Sequence, residues 1–114
     1  MTHITKRLVK VCIITRSNLT DADQAVQACH VAMQFMMDYP ESARSWHAQS
    51  NTLVLLTVEN EQGLQRIIDR AFDLNVRTAA FREPDLNNAL TAIALEPSDK
   101  NQRICKNLPL ALGG

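Results

Sequence analysis

Thr52-Leu-Val-Leu-Leu-Thr-Val58, closed by Asn51 on one side and Glu59 on the other, is a continuous apolar run. It decides the fold class. Its length and branched side chains suit a strand, and the absence of polar alternation suits one covered on both faces, as in α/β sheets. Directly after it, Leu64, Ile67, Ile68, Ala71 and Phe72 recur at i, i+3, i+4, i+7 and i+8, with Gln65, Arg66, Asp69, Arg70 and Asp73 opposite. That is the stripe of an amphipathic helix, weakened only by Gly63.

Upstream, Leu8, Val9, Val11, Cys12, Ile13 and Ile14 form a second apolar run, interrupted by Lys10 and ending in Thr15-Arg16-Ser17-Asn18. This reads as a buried strand followed by a turn. Thr20 stands three residues before Asp23, placed to cap a helix whose first turn holds Asp21 and Asp23 at the positive dipole end. The helix is expected to run to about Asp38 and stop before Pro40. Pro40 opens a short second helix from Glu41 to Gln49, with Trp46 as its large apolar anchor. Downstream, Val76 to Arg82 and Ala89 to Leu95 read as the third and fourth strands, and Asp99 to Lys106 as a last short helix. The order is β-α-α-β-α-β-β-α. Two right-handed crossovers predict that the first three strands are parallel, and the short link to the fourth predicts an antiparallel partner. The expected fold is a three-layer α/β/α arrangement: a mixed four-stranded sheet, three parallel strands plus one antiparallel, with helices on both faces.

The 114 residues fit one domain spanning the whole chain, 1–114. With 46% hydrophobic and 21% charged residues, and only 3 Gly and 4 Pro, disorder and collagen-like structure are excluded. Twelve basic residues balance twelve acidic ones, so nucleic-acid binding must come from a local patch. Cys12, Cys29 and Cys105 are an odd number at wide spacing, which suits neither a disulfide framework nor a zinc site and points to a reduced, cytoplasmic setting. Cys12 and Cys29 are expected to pack in the core. Neither a leader peptide nor an apolar run approaching the ~20 residues of a membrane span is expected.

Ligands of open α/β sheets bind beyond the carboxyl ends of the strands. Here those ends carry Arg16-Ser17-Asn18, Glu59-Asn60 and Arg82-Glu83-Pro84-Asp85, of which Arg82 taken alone reads as solvated. The first helix is apolar nearly all round, apart from a narrow polar line of Asp23, Gln27, His30, Gln34 and Asp38. Such a line faces a cleft or is satisfied by partners; the bland alternative is a hydrogen-bonded core His30 with exposed glutamines. Cys29 and His30 are adjacent on a helix and point about 100° apart, so they do not form a dyad. A Gly-rich phosphate loop, His-x-x-x-His, Cys-x-x-Cys and Gly-x-Ser-x-Gly are all missing, which leaves a kinase, nucleotidase or zinc hydrolase without support. Two basic groups are candidate phosphate contacts: Lys6, Arg7 and Lys10 near the start, and Lys100, Arg103 and Lys106 on one helical face near the end.

The stretches Val11-Cys-Ile-Ile-Thr-Arg-Ser-Asn-Leu19, Gln24-Ala-Val-Gln-Ala-Cys-His30, Phe81-Arg-Glu-Pro-Asp-Leu86 and Leu90-Thr-Ala-Ile-Ala-Leu95, with a closing Leu-Pro-Leu at 108–110, resemble the peptidyl-tRNA hydrolases of the second type, the archaeal and eukaryotic form. The resemblance runs with gaps from about Val9 to Leu110. It implies a compact α/β/α fold on a mixed four-stranded sheet. It also implies hydrolysis, without metal or cofactor, of the ester joining a peptide to the 3′ ribose of tRNA, and a homodimer. By resemblance, Gln27 and His30 match the family's Gln and His on the first helix and Arg16 its Arg after the first strand. Glu83 falls where the family commonly has an Asp. The family's Gly-Lys pair at the helix start is here Ala22-Asp23, Cys29 stands where many members have Ser, and Asn87-Asn88 replaces an Arg-Thr. These departures place the chain in a divergent bacterial-type branch.

The catalytic candidates are therefore His30, Gln27, Glu83 and Asp85, with Arg16, Asp23, Lys100 and Arg103 expected to meet the substrate. In an ester hydrolase, His30 or the carboxylates would orient or deprotonate water, and Gln27 and Arg16 would donate to the oxyanion or the terminal phosphate. Two other readings stand beside this one. One is a member that keeps the fold and tRNA affinity without turnover; the other is an interaction domain presenting Met33, Phe35, Met36, Met37 and Trp46.

Overall fold

The computed structural model describes residues 10–113. Leu8, Val9 and the basic pair Lys6 and Arg7 lie outside them. The elements follow in the order β1 (Lys10–Arg16), α1 (Asp21–Asp38), α2 (Pro40–Gln49), β2 (Thr52–Val58), α3 (Glu61–Asp73), β3 (Thr78–Glu83), a 3₁₀ turn (Pro84–Leu86), β4 (Ala89–Leu95) and α4 (Asn101–Cys105). Thr20 caps α1 as expected, its Oγ1 accepting from the Asp23 amide at 3.1 Å. Asn60 caps α3 in the same way, through the Gly63 amide at 2.9 Å. Gly63 lets α3 start close against β2: a Cβ there would lie 3.0 Å from Val58 Cβ.

The sheet order is β2-β1-β4-β3, and it corrects the expected set of three parallel strands. Among the described residues only β1 and β2 pair in parallel, while β4 lies between β1 and β3 and pairs antiparallel with both. The local β3–β4 hairpin reverses through Asn87 and Asn88, both left-handed, a conformation asparagine tolerates better than most residues. Strand β4 then takes the free edge of β1, which buries Leu90–Leu95 completely at the centre of the sheet. The apolar run Thr52–Val58 is consequently an edge strand and is exposed over its first half. The C-terminal segment covers part of that edge: Thr57 N donates to Pro109 O and Ala111 N to Leu55 O, each at 3.0 Å.

Alternation along β1 builds two cores. Val11 and Ile13 face Ala28, Val31 and Phe35 of α1 and Ala43 of α2, while Cys12 and Ile14 face Leu64, Ile67 and Ala71 of α3 and Ile104 of α4. Helices thus cover both faces. In α3, Phe72 lies at the border of the apolar stripe and is exposed rather than packed. Helix α1 also differs from an all-round buried helix. Its inner face holds Gln24, Gln27, Ala28, Val31 and Phe35, whereas Val26, Met33, Met36 and Met37 face outward. Cys29, expected in the core, is exposed with them, while Cys12 is buried. Among the described residues no helix is long and apolar enough to cross a membrane.

Candidate active site

Two buried threonines on neighbouring strands meet two buried glutamines on α1. Thr15 on β1 donates through Oγ1 to Gln24 Oε1 at 2.8 Å, and Gln24 Nε2 donates to Leu19 O at 3.0 Å. Thr91 on β4 donates to Gln27 Oε1 at 2.6 Å. Buried polar groups require such partners, and an i, i+3 pair of amides on one helix face finds them on adjacent strands. The pairing of β3 with β4 passes from Phe81↔Ala92 to Arg82↔Leu90, so Thr91 is the extra residue of a bulge. Bulges re-aim side chains. This one turns the Thr91 hydroxyl toward α1, the side that its neighbour Ala92 already faces.

With its oxygen held by Thr91, Gln27 must present its amide nitrogen outward, and Nε2 donates to Glu83 Oε1 at 2.8 Å. A flipped amide would set Oε1 against the Glu83 carboxylate. The other Glu83 oxygen accepts from the Asp85 amide at 3.3 Å. These hydrogen bonds, from Gln27 first and the Asp85 backbone second, hold the Glu83 carboxyl below the usual glutamate range; partial burial opposes them and the nearby His30 imidazole adds a smaller push the same way. Glu83 is therefore a carboxylate at neutral pH. His30, one turn beyond Gln27, stacks on Phe81 of β3 with ring centroids 4.5 Å apart and planes 13° off parallel. The imidazole stands exposed at the same rim.

Arg16, at the carboxyl end of β1, is half-buried; its Nε donates to Asn18 Oδ1 at 3.0 Å and its Nη1 to Leu90 O at 3.1 Å. Among the described residues Nη2 carries no hydrogen bond, so one edge of the guanidinium remains for a ligand. The adjacent Leu90 N is held by Glu61 Oε2 at 2.9 Å, which ties the start of α3 to the same rim.

Gln27, His30 and Glu83 are thus brought together beside the carboxyl ends of β1 and β3, with Arg16 on the strand next to Thr91. Asp85 joins through its backbone, and among the described residues its exposed carboxylate makes no hydrogen bond. Asp23 is exposed on the first turn of α1. Lys100 and Arg103 are not brought to this cluster. They follow the far end of β4 on the opposite face of the sheet, where Lys100 Nζ donates to Leu74 O at 2.8 Å and the Arg103 carbonyl accepts from Arg70. Lys100 therefore closes the end of α3. Arg82 is exposed, as its isolated charge suggested. Thr91, Gln24 and Glu61 were not singled out by sequence reasoning. The one available signal was a lone threonine in the otherwise apolar Ala89–Leu95 run.

The sequence pattern of the family described as Peptidyl-tRNA hydrolase PTH2 matches residues 9–111. The chain belongs to that family. Family membership suggests peptidyl-tRNA hydrolase activity, with tRNA as the substrate's carrier. No curated protein sequence matches this PTH2 member significantly. Among solved structures, it resembles a protein of unknown function from Agrobacterium tumefaciens, with a TM-score of 0.66 and 15% identity over 89% of this chain and 96% of the other. At that identity the likeness speaks for the fold of the PTH2 chain alone.

Proposed function

We propose that this PTH2-family chain hydrolyses the ester between a peptidyl, or N-blocked aminoacyl, group and the 3′ ribose of tRNA, with its own side chains activating the water. The observation that carries the reading is the relay from Thr91 through Gln27 to Glu83, set beside His30 at the strand ends. Ester hydrolysis needs an aligned water, a proton acceptor and donors for the tetrahedral oxyanion. A carboxylate held below its ordinary range is a weak base, so Glu83 aligns the water and His30 takes its proton. The water oxygen bonds to the ester carbon, the bond to the ribose oxygen breaks, and His30 returns the proton to that oxygen. The second N–H of Gln27 and the open edge of Arg16 supply donors to the oxyanion or the terminal phosphate, and Asp85 adds negative charge at the mouth.

A second reading, a member that keeps the fold without turnover, is favoured by one observation: the first turn of α1 carries Asp23, beside Asp21, where the family resemblance calls for a lysine. The exposed Met33, Met36 and Met37 similarly support a role for the outer face of α1 in protein contact, and with it the homodimer, whereas Phe35 is buried in the core and Trp46 half-buried. The proposal takes residues 1–114 as one cytoplasmic domain.

The test is release of N-acetyl amino acid from N-acetyl-aminoacyl-tRNA in the presence of EDTA, with His30→Ala run beside the parent. Turnover lost in His30→Ala at unchanged circular dichroism supports the assignment. Full activity in that variant removes His30 from the mechanism, and no turnover in a parent that still binds tRNA favours the second reading.

A further inference from the structure

A cavity of about 340 Å³ opens at the other end of the sheet, on the α3/α4 face; its lining includes Lys10, Cys12, Asn101, Cys105 and Lys106. Cys12 comes from the middle of β1 and Cys105 from the end of α4. Both are buried in the same core cluster, at 4% and 7% exposure, and both line this cavity; Cys105 lies one turn beyond Asn101 on α4, on the helix face that meets Cys12. Asn101 is equally buried and fixes the pair's surroundings. Its Nδ2 donates to Glu96 O at 2.8 Å and to Cys12 Sγ at 3.8 Å, so the Glu96 carbonyl sets the orientation of the amide. Among the described residues the Asn101 Oδ1 is left buried without a partner. Nothing in the hydrolysis uses these groups, and the cavity gives a small molecule access to both thiols.

We propose that Cys12 and Cys105 form a redox modification site, oxidised by a small hydroperoxide entering the cavity to a disulfide that ties α4 to β1. The Asn101 amide donates to the Cys12 sulfur and Lys10 lines the same cavity, and both favour a thiolate at Cys12. Cys12 is therefore the nucleophile and Cys105 the resolving thiol. In the first step the Cys12 sulfur bonds to the terminal peroxide oxygen, the O–O bond breaks, and the departing hydroxide or alkoxide takes the proton given up by the thiol to leave as water or an alcohol, giving a sulfenic acid. In the second, the Cys105 sulfur bonds to the Cys12 sulfur, the S–O bond breaks, and hydroxide leaves with the Cys105 proton as water. The two thiols lose two electrons, and the peroxide gains them.

The test uses the full chain with hydrogen peroxide, followed by denaturation, alkylation and peptide mapping. Untreated protein alkylates at Cys12, Cys29 and Cys105. After peroxide the proposal expects only Cys29 to alkylate, with the Cys12 and Cys105 peptides linked and released by dithiothreitol. Cys29→Ser, which changes an exposed position, retains the link and rules out disulfides made through Cys29. Cys105→Ser stops at a dimedone-trapped sulfenic acid on Cys12. Oxidation confined to Cys29, or Cys12 driven to sulfinic acid while Cys105 still alkylates, overturns the proposal.

Discussion

Thr91→Val replaces the hydroxyl that fixes Gln27 with a methyl group of nearly the same shape. The Thr91 side chain is fully buried and its Oγ1 donates to Gln27 Oε1 at 2.6 Å, while Gln27 itself is 5% exposed. In the variant Gln27 Oε1 has no donor, and the amide cannot turn over because its nitrogen is held by Glu83. The cost is that of a buried unsatisfied acceptor, about 1–3 kcal/mol. For a chain of this length that corresponds to a fall in Tm of roughly 4–6 °C per kcal/mol. Urea unfolding followed by circular dichroism reads the difference. A double-mutant cycle with Gln27→Leu isolates it: once the amide is gone, Thr91→Val should cost less by about 1 kcal/mol. The reasoning fails if Thr91→Val stays within about 0.5 kcal/mol of the parent, the ordinary scatter of neutral substitutions, or if the cycle is additive.

Glu83 titrates below its ordinary value of 4.5 in the folded chain, so its stabilising contribution is complete above that value and is lost as pH falls through the lowered one. Glu83→Gln lacks this titration and should show a shallower loss of urea midpoint than the parent between about pH 5 and pH 3. Gly63→Ala sets a Cβ 3.0 Å from Val58 Cβ; crowding should destabilise the fold by about 1–2 kcal/mol, overriding the helix-propensity gain of about 1 kcal/mol. A more stable variant in thermal melts would show that the start of α3 shifts freely. Asp23→Lys replaces an acid with a base on the exposed first turn of α1, and should strengthen tRNA binding several-fold while steepening its salt dependence by roughly one released counterion. Filter binding across a salt series checks this, and an unchanged slope would place Asp23 away from the tRNA.

Much of the layout was legible because local rules fix it. Thr20 before an acidic turn marks the start of α1, Pro40 divides α1 from α2, and the stripe of Leu64, Ile67 and Ala71 faces the core. Strand pairing was not legible, because it depends on which free edge the β3–β4 hairpin takes, and burying the apolar β4 at the centre of the sheet decides that globally. The same limit applies within the site. Gln27 and His30 stand out as polar residues in an apolar helix, but Val26, Met33 and Met37 conceal which side of that helix faces the sheet. Thr91 reaches Gln27 through a bulge, which the alternation of its own strand does not announce. Lys100 shares a helical spacing with Arg103 and Lys106 that suggests a phosphate-binding face, yet its ammonium is held by the Leu74 carbonyl.

The central claim is that the ionised Glu83, steered by Gln27, aligns the water that His30 activates. Glu83→Gln tests it most directly, because the substituted amide oxygen can still accept from Gln27 Nε2 while the negative charge is lost. In single-turnover hydrolysis of N-acetyl-aminoacyl-tRNA the account predicts a parent that turns over and a variant slowed by on the order of 10²-fold or more at unchanged tRNA affinity. A variant as fast as the parent would contradict it.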